Sequence, residues 1–244
     1  MIGIAVLLVL SHVLLKFILK KNLMVLGWTP IGRQLFTFLC GTVLALVIHF
    51  LTVYLSELLG LQTFTYNDNY ACSMLFRSLF YHLQSAFTEE LVFRGALLFI
   101  VMNRFGIRKA LFISAFFFGI YHWFSYNIWD KHLIAYVYVF IATGFMGYVY
   151  GYSYAKSGTI LLPLGLHLGW NYLATLCCDA VPYGELLFES ARAVTYDEKV
   201  ETWYSLLKAI MPPLLMLLTL RILYAKQWLI LKHMKGTTIN QTKV

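Results

Sequence analysis

Between Lys109 and Asp179 the chain carries only three charged side chains, Asp130, Lys131 and Lys156, and they fall between long apolar runs. A spanning helix needs ~20 consecutive, mostly apolar residues. Runs of that length separated by single charges leave few options besides a bundle of membrane-crossing helices, because in lipid every backbone polar group must be satisfied within its own segment. Comparable runs flank this region. Together they predict seven spans, at about Ile2–Leu19, Leu35–Leu59, Ser73–Met102, Ala110–Trp129, Leu133–Ala155, Ile160–Cys178 and Tyr204–Tyr224. The expected fold is all-α and polytopic, with residues 1–72 as N-terminal membrane helices, 73–178 as a core, and 179–244 as an outer loop, last helix and basic tail. Composition agrees: 60% of the 244 residues are hydrophobic and 12% charged, against about 25% charged in a soluble domain.

The net charge of +8 does not argue for a nucleic-acid partner, because the cations sit in the loops. With the N-terminus outside, eleven Lys and Arg fall on the cytoplasmic side: Lys20, Lys21, Arg33, Arg104, Arg108, Lys109, Lys156, Lys226, Lys232, Lys235 and Lys243. Five fall outside: Arg77, Lys131, Arg192, Lys199 and Lys208. That asymmetry predicts an outer N-terminus and a cytoplasmic C-terminus. Met1–Leu19 has no basic region before its apolar run and reads as a retained helix rather than a signal peptide. A prokaryotic cell membrane is the expected location. The four cysteines form no CxxC pair and read as packing residues.

Ionisable side chains within spans cost at least ~2.5–3.5 kcal/mol each on insertion scales and mark function by default. Three stretches stand out. Thr88-Glu89-Glu90-Leu91-Val92-Phe93-Arg94 lies in the third span, Phe118–His122 in the fourth, and His167–Asn171 in the sixth. Residues four apart share a helix face, so Glu90 and Arg94 are expected to neutralise each other. Glu89, about 100° away around the helix, keeps its carboxylate for a cavity. Phe118 and His122 share one face, His167 and Asn171 another. One carboxylate, two imidazoles and a carboxamide can activate water, hydrogen-bond an oxyanion or hold a metal. A lone intramembrane histidine is commonly a packed residue; the ordered set of three stretches is what points to chemistry. His12, His49, His82, His132 and His233 match no pattern. Pro163 is expected to kink the sixth helix beside the site, and Pro212 and Pro213 to bend the seventh.

The three stretches resemble the CAAX-protease and bacteriocin-processing family, also called Abi or Rce1-like, whose pattern runs EExxxR, FxxxH, then HxxxN or HxxxD. The resemblance implies an intramembrane endopeptidase. It implies that Glu89, assisted by His122, activates water, that His167 and Asn171 form an oxyanion hole, and that Glu90, Arg94 and Phe118 support the site. It also implies a membrane-embedded or lipidated peptide or protein as substrate. Prenylated proteins would approach from the cytoplasm, whereas the charge count puts His122 towards the outer end of its helix, so orientation and substrate pull against each other. No cofactor is required by a glutamate-activated water. A divalent metal such as zinc would take Glu89, His122 and His167 as ligands, although HExxH is absent. An ion-coupled transporter, with the same residues as a relay, and a bacteriocin-immunity scaffold are the alternatives.

Overall fold

The computed structural model describes residues 2–179, 182–192 and 197–225. The basic tail beyond Ala225, with His233, lies outside the described residues, as do the side chains of Arg192 and Lys199. Eight α-helices follow in order: α1 (Ile2–Leu19), α2 (Ile31–Leu58), α3 (Cys72–Arg94), α4 (Ala96–Phe105), α5 (Ile107–Ser125), α6 (Leu133–Ser157), α7 (Leu161–Cys177) and α8 (Glu198–Ala225). Two short strands, β1 (Gln62–Tyr66) and β2 (Phe188–Arg192), pair antiparallel with Phe64 opposite Ser190.

Among the described residues, four segments are long and apolar enough to cross a membrane: Ile2–Leu19, Leu23–Leu58, Leu133–Ser157 and Thr202–Ala225. Large apolar side chains such as Phe17, Phe36, Leu133 and Ile222 cover their outer faces, as lipid contact requires. The helices carrying the three motif stretches are the more polar or shorter ones. α3 holds Arg77, Glu89, Glu90 and Arg94, and α7 has 17 residues.

The structure departs from the sequence reading in three places. The expected third span is two helices, α3 and α4, broken at Gly95. A Cβ on Gly95 would stand 2.1 Å from the Leu91 carbonyl oxygen, so the break depends on glycine. The fold is not purely helical, because β1 and β2 tie the α2–α3 connection to the α7–α8 connection. Asn67 Nδ2 donates to Glu185 O at 2.9 Å, and the backbone N–H and hydroxyl of Ser190 donate to Glu185 Oε1. Pro163 does not kink its helix. It is the third residue of α7, in the first turn, where an N–H has no helical partner to lose.

α2 and α7 make the closest helix pair. Gly165 and Gly169 lie one turn apart on the face of α7 turned to α2, where added Cβ atoms would come within 2.1 Å of Phe38 O and 2.4 Å of Thr42 O. Small residues four apart let membrane helices approach backbone to backbone. His167, midway between the two glycines, projects from the opposite side. Gly165→Leu is therefore expected to destabilise by at least the ~1–3 kcal/mol of ordinary overpacking, read as a lower unfolding midpoint in detergent micelles. A midpoint equal to wild type would show that α2 is not clamped on α7.

Candidate active site

The site is assembled from α3, α5, α6 and α7. Glu89 and Glu90 are consecutive residues of α3 and are both buried, but they face different neighbours. Glu90 Oε1 lies 3.4 Å from Arg94 Nη1 one turn on, as the spacing predicted. Arg94 is fully buried. Its guanidinium sits 4.2 Å above the Phe118 ring and 5.2 Å from that of Tyr150, and its Nη2 donates to Gly147 O at 3.1 Å. An arginine with no water contact is thus held by one carboxylate, one carbonyl and two aromatic faces.

Glu89 points into the space between α5 and α7. Its Oε1 accepts from the Ser85 hydroxyl at 3.3 Å. Its Oε2 is buried without a hydrogen-bond partner among the described residues, and two imidazoles converge on it: His122 Nε2 at 3.9 Å and His167 Nε2 at 3.8 Å. The other nitrogen of each ring is committed. His122 Nδ1 is 2.8 Å from Phe118 O, and His167 Nδ1 is 2.9 Å from Glu90 Oε1. Carbonyls and carboxylates only accept, so both rings donate from Nδ1 and turn their Nε2 atoms to Glu89. A water between Glu89 Oε2 and one imidazole Nε2 would satisfy the unpaired carboxylate oxygen, since separations beyond ~3.5 Å are bridged in this way.

Asn171, one turn beyond His167, lines a cavity of about 230 Å³ with His122, His167, Phe118, Tyr126 and Tyr150. The cavity extends to Lys208, Ala209, Pro212 and Pro213 of α8. The structure thus brings together all seven residues singled out in the sequence: Glu89, Glu90, Arg94, Phe118, His122, His167 and Asn171.

Residues 71–173 match the family model described as Type II CAAX prenyl endopeptidase Rce1-like, and they contain every one of these side chains. Over this segment the chain is similar to the Rce1-like family. No curated protein and no solved structure matches the chain. The Rce1-like segment runs from the residue before α3 into α7; α1, α2 and α8 lie outside it.

Within the Rce1-like site, Glu89 Oε2, His122 Nε2 and His167 Nε2 are donor types that zinc accepts. Tetrahedral bonds of ~2.0–2.1 Å place ligand atoms about 3.3 Å apart; here Glu89 stands 3.8 and 3.9 Å from the two nitrogens. Among the described residues no group of three or more His, Cys, Asp or Glu is arranged to hold a metal ion. The Glu89–imidazole separations are wider than those between tetrahedral zinc ligands.

Several contributors escaped the sequence reading. Tyr150 of α6 stacks on His167, with ring centroids 4.8 Å apart and planes at 22°. Tyr126 packs edge-on against His122 at 5.1 Å. Neither sits in a motif; Tyr126 lies one turn beyond His122, whereas Tyr150 is brought to the site only by the packing of α6 against α7. His82 hydrogen-bonds Thr175, and His49 bonds Trp170 O at 3.0 Å and stacks on its ring. These two histidines join α3 and α2 to α7.

Proposed function

We propose that this protein is an intramembrane endopeptidase that uses Glu89 to activate water against a peptide bond of a membrane-associated protein or peptide. The observation that carries the reading is the convergence of Glu89 Oε2 with two imidazole Nε2 atoms, each ring oriented by a bond at Nδ1. The match of residues 71–173 to the Rce1-like family model supports a protease of the CAAX type.

Water held by Glu89 and His122 attacks the scissile carbonyl. A C–O bond forms and the water proton passes to Glu89. The oxyanion takes hydrogen bonds from the Asn171 amide and from the Nε2–H of a His167 ring that is protonated at both nitrogens throughout, its charge balanced by Glu90. The C–N bond then breaks, and Glu89 returns the proton to the leaving amine. Glu90 and Arg94 do not touch substrate; they hold His167 and Phe118 in place.

The test is purified full-length protein with a labelled lipidated membrane peptide in H₂¹⁸O. One ¹⁸O atom in the new C-terminal carboxyl is expected. Loss of the peptide's fluorescence without new termini would favour the carrier reading over the protease. In this metal-free version of the mechanism, dialysis against a chelator is expected to leave the rate within about twofold of its starting value. Loss of activity that zinc restores would overturn this version of the mechanism.

The charge asymmetry leads us to propose seven passes with the β1–β2 end outside. Cys72 is exposed where β1 leads into α3. It is expected to react with a membrane-impermeant maleimide on intact cells, a signal that Cys72→Ser removes. Labelling only after permeabilisation would reverse the orientation.

A further inference from the structure

Pro212 and Pro213 stand in the interior of α8. Proline has no N–H, so each leaves the carbonyl four residues earlier without its helical partner. Those carbonyls belong to Lys208 and Ala209, and all four residues line the cavity shared with His122, His167 and Asn171. Residues 208 and 212, like 209 and 213, are one turn apart on one face. The released carbonyls lie between the members of each pair, on that same cavity face. Lys208 sends its amine away to Gln62 Oε1 at 3.2 Å, and Ala209 has only a methyl, so the polarity this face offers the cavity is backbone. Among the described residues no N–H of another element donates to either carbonyl. At membrane depth such carbonyls are tolerated where they are buried in protein or line a cavity, and these line one.

We propose that this double-proline step is a docking edge for an extended substrate strand, with the Lys208 and Ala209 carbonyls accepting backbone N–H groups of the segment to be cut. The inference rests on the protease reading. A helical substrate satisfies its own amides and shields its peptide bonds. Once a segment unwinds to present a carbonyl to Glu89, its N–H groups need acceptors in a cavity with little water. Strand addition to unpaired backbone groups is an established way to hold a peptide without reading its side chains. The prolines are positioning residues, since they act through the carbonyls they release.

Two substitutions and a substrate series test this. Pro212→Ala/Pro213→Ala restores both N–H groups, and alanine favours the helix, so the carbonyls are reclaimed. With full-length protein and a cleavable membrane peptide, the double variant is expected to raise KM about five- to tenfold, the effect of a neutral hydrogen bond, with kcat near wild type. In wild type, N-methylation of one amide flanking the scissile bond is expected to raise KM by a similar factor, and to add nothing in the double variant. A wild-type KM in the double variant overturns the proposal, as does an N-methyl penalty undiminished in it, or the absence of any such penalty in wild type. Wild-type protein that cleaves no peptide overturns the protease reading itself.

Discussion

Glu89→Gln is expected to lower kcat by ~10²–10⁴-fold, the usual contribution of a general base, while leaving KM and the unfolding midpoint close to wild type. The substitution keeps the shape of the side chain and an oxygen for the Ser85 hydroxyl, which donates to Glu89 Oε1 at 3.3 Å. It replaces the oxygen that faces His122 and His167 or reorients it, and the amide cannot take a proton from water. Glu90→Gln is the matched control. It should weaken the hold on His167 and Arg94 and so lower stability as well as rate. Cleavage by Glu89→Gln at the wild-type rate would remove the carboxylate from the chemistry, and the ion-coupled carrier would become the better account of an acid at this depth.

Arg94→Met is expected to cost ~3–5 kcal/mol of stability, the usual penalty for removing one partner of a buried ion pair. Arg94 has no exposed surface, and its neighbours are Glu90 at 3.4 Å, Gly147 O at 3.1 Å and the ring of Phe118 at 4.2 Å. Without it Glu90 keeps only His167, and the carbonyl of Gly147 loses its donor. Removing both charges in Glu90→Gln/Arg94→Met should recover part of the loss, because no uncompensated charge remains. Unfolding midpoints of the three proteins in one detergent give the cycle. A single variant within about 1 kcal/mol of wild type would show that the pair is not a structural anchor.

What could be read in the sequence was what helical periodicity controls. Glu90 with Arg94, and Phe118 with His122, are one-turn pairs, and both contacts are present. The division of labour between Glu89 and Glu90 follows from their angular offset on one helix. The contact of His167 with Glu90 spans 77 residues and has no local signal, nor has the stacking of Tyr150 on that ring. The break at Gly95 was hidden because Ala96–Phe105 continues the apolar run without a pause. The strands were missed because Gln62–Tyr66 and Phe188–Arg192 are short and polar, and each is a strand only through the other. Pro163 was expected to kink its helix although the expected start at Ile160, one residue from the observed Leu161, already put it in the first turn, where a proline costs no helical bond. Pro212 and Pro213 were seen as a bend alone; that the face they open looks onto His122 and His167 is a fact of packing.

The glycine seam between α2 and α7 has a consequence for how this protein can be taken apart. α2 is outside the Rce1-like segment, yet α7, which carries His167 and Asn171, rests on α2 with no side chain between the backbones at Gly165 and Gly169. Residues 71–173 grafted into another bundle would bring every motif residue and leave behind the surface against which two of them are set. A working transplant must carry α2 with it, so the smallest portable unit is larger than the stretch by which the family is recognised.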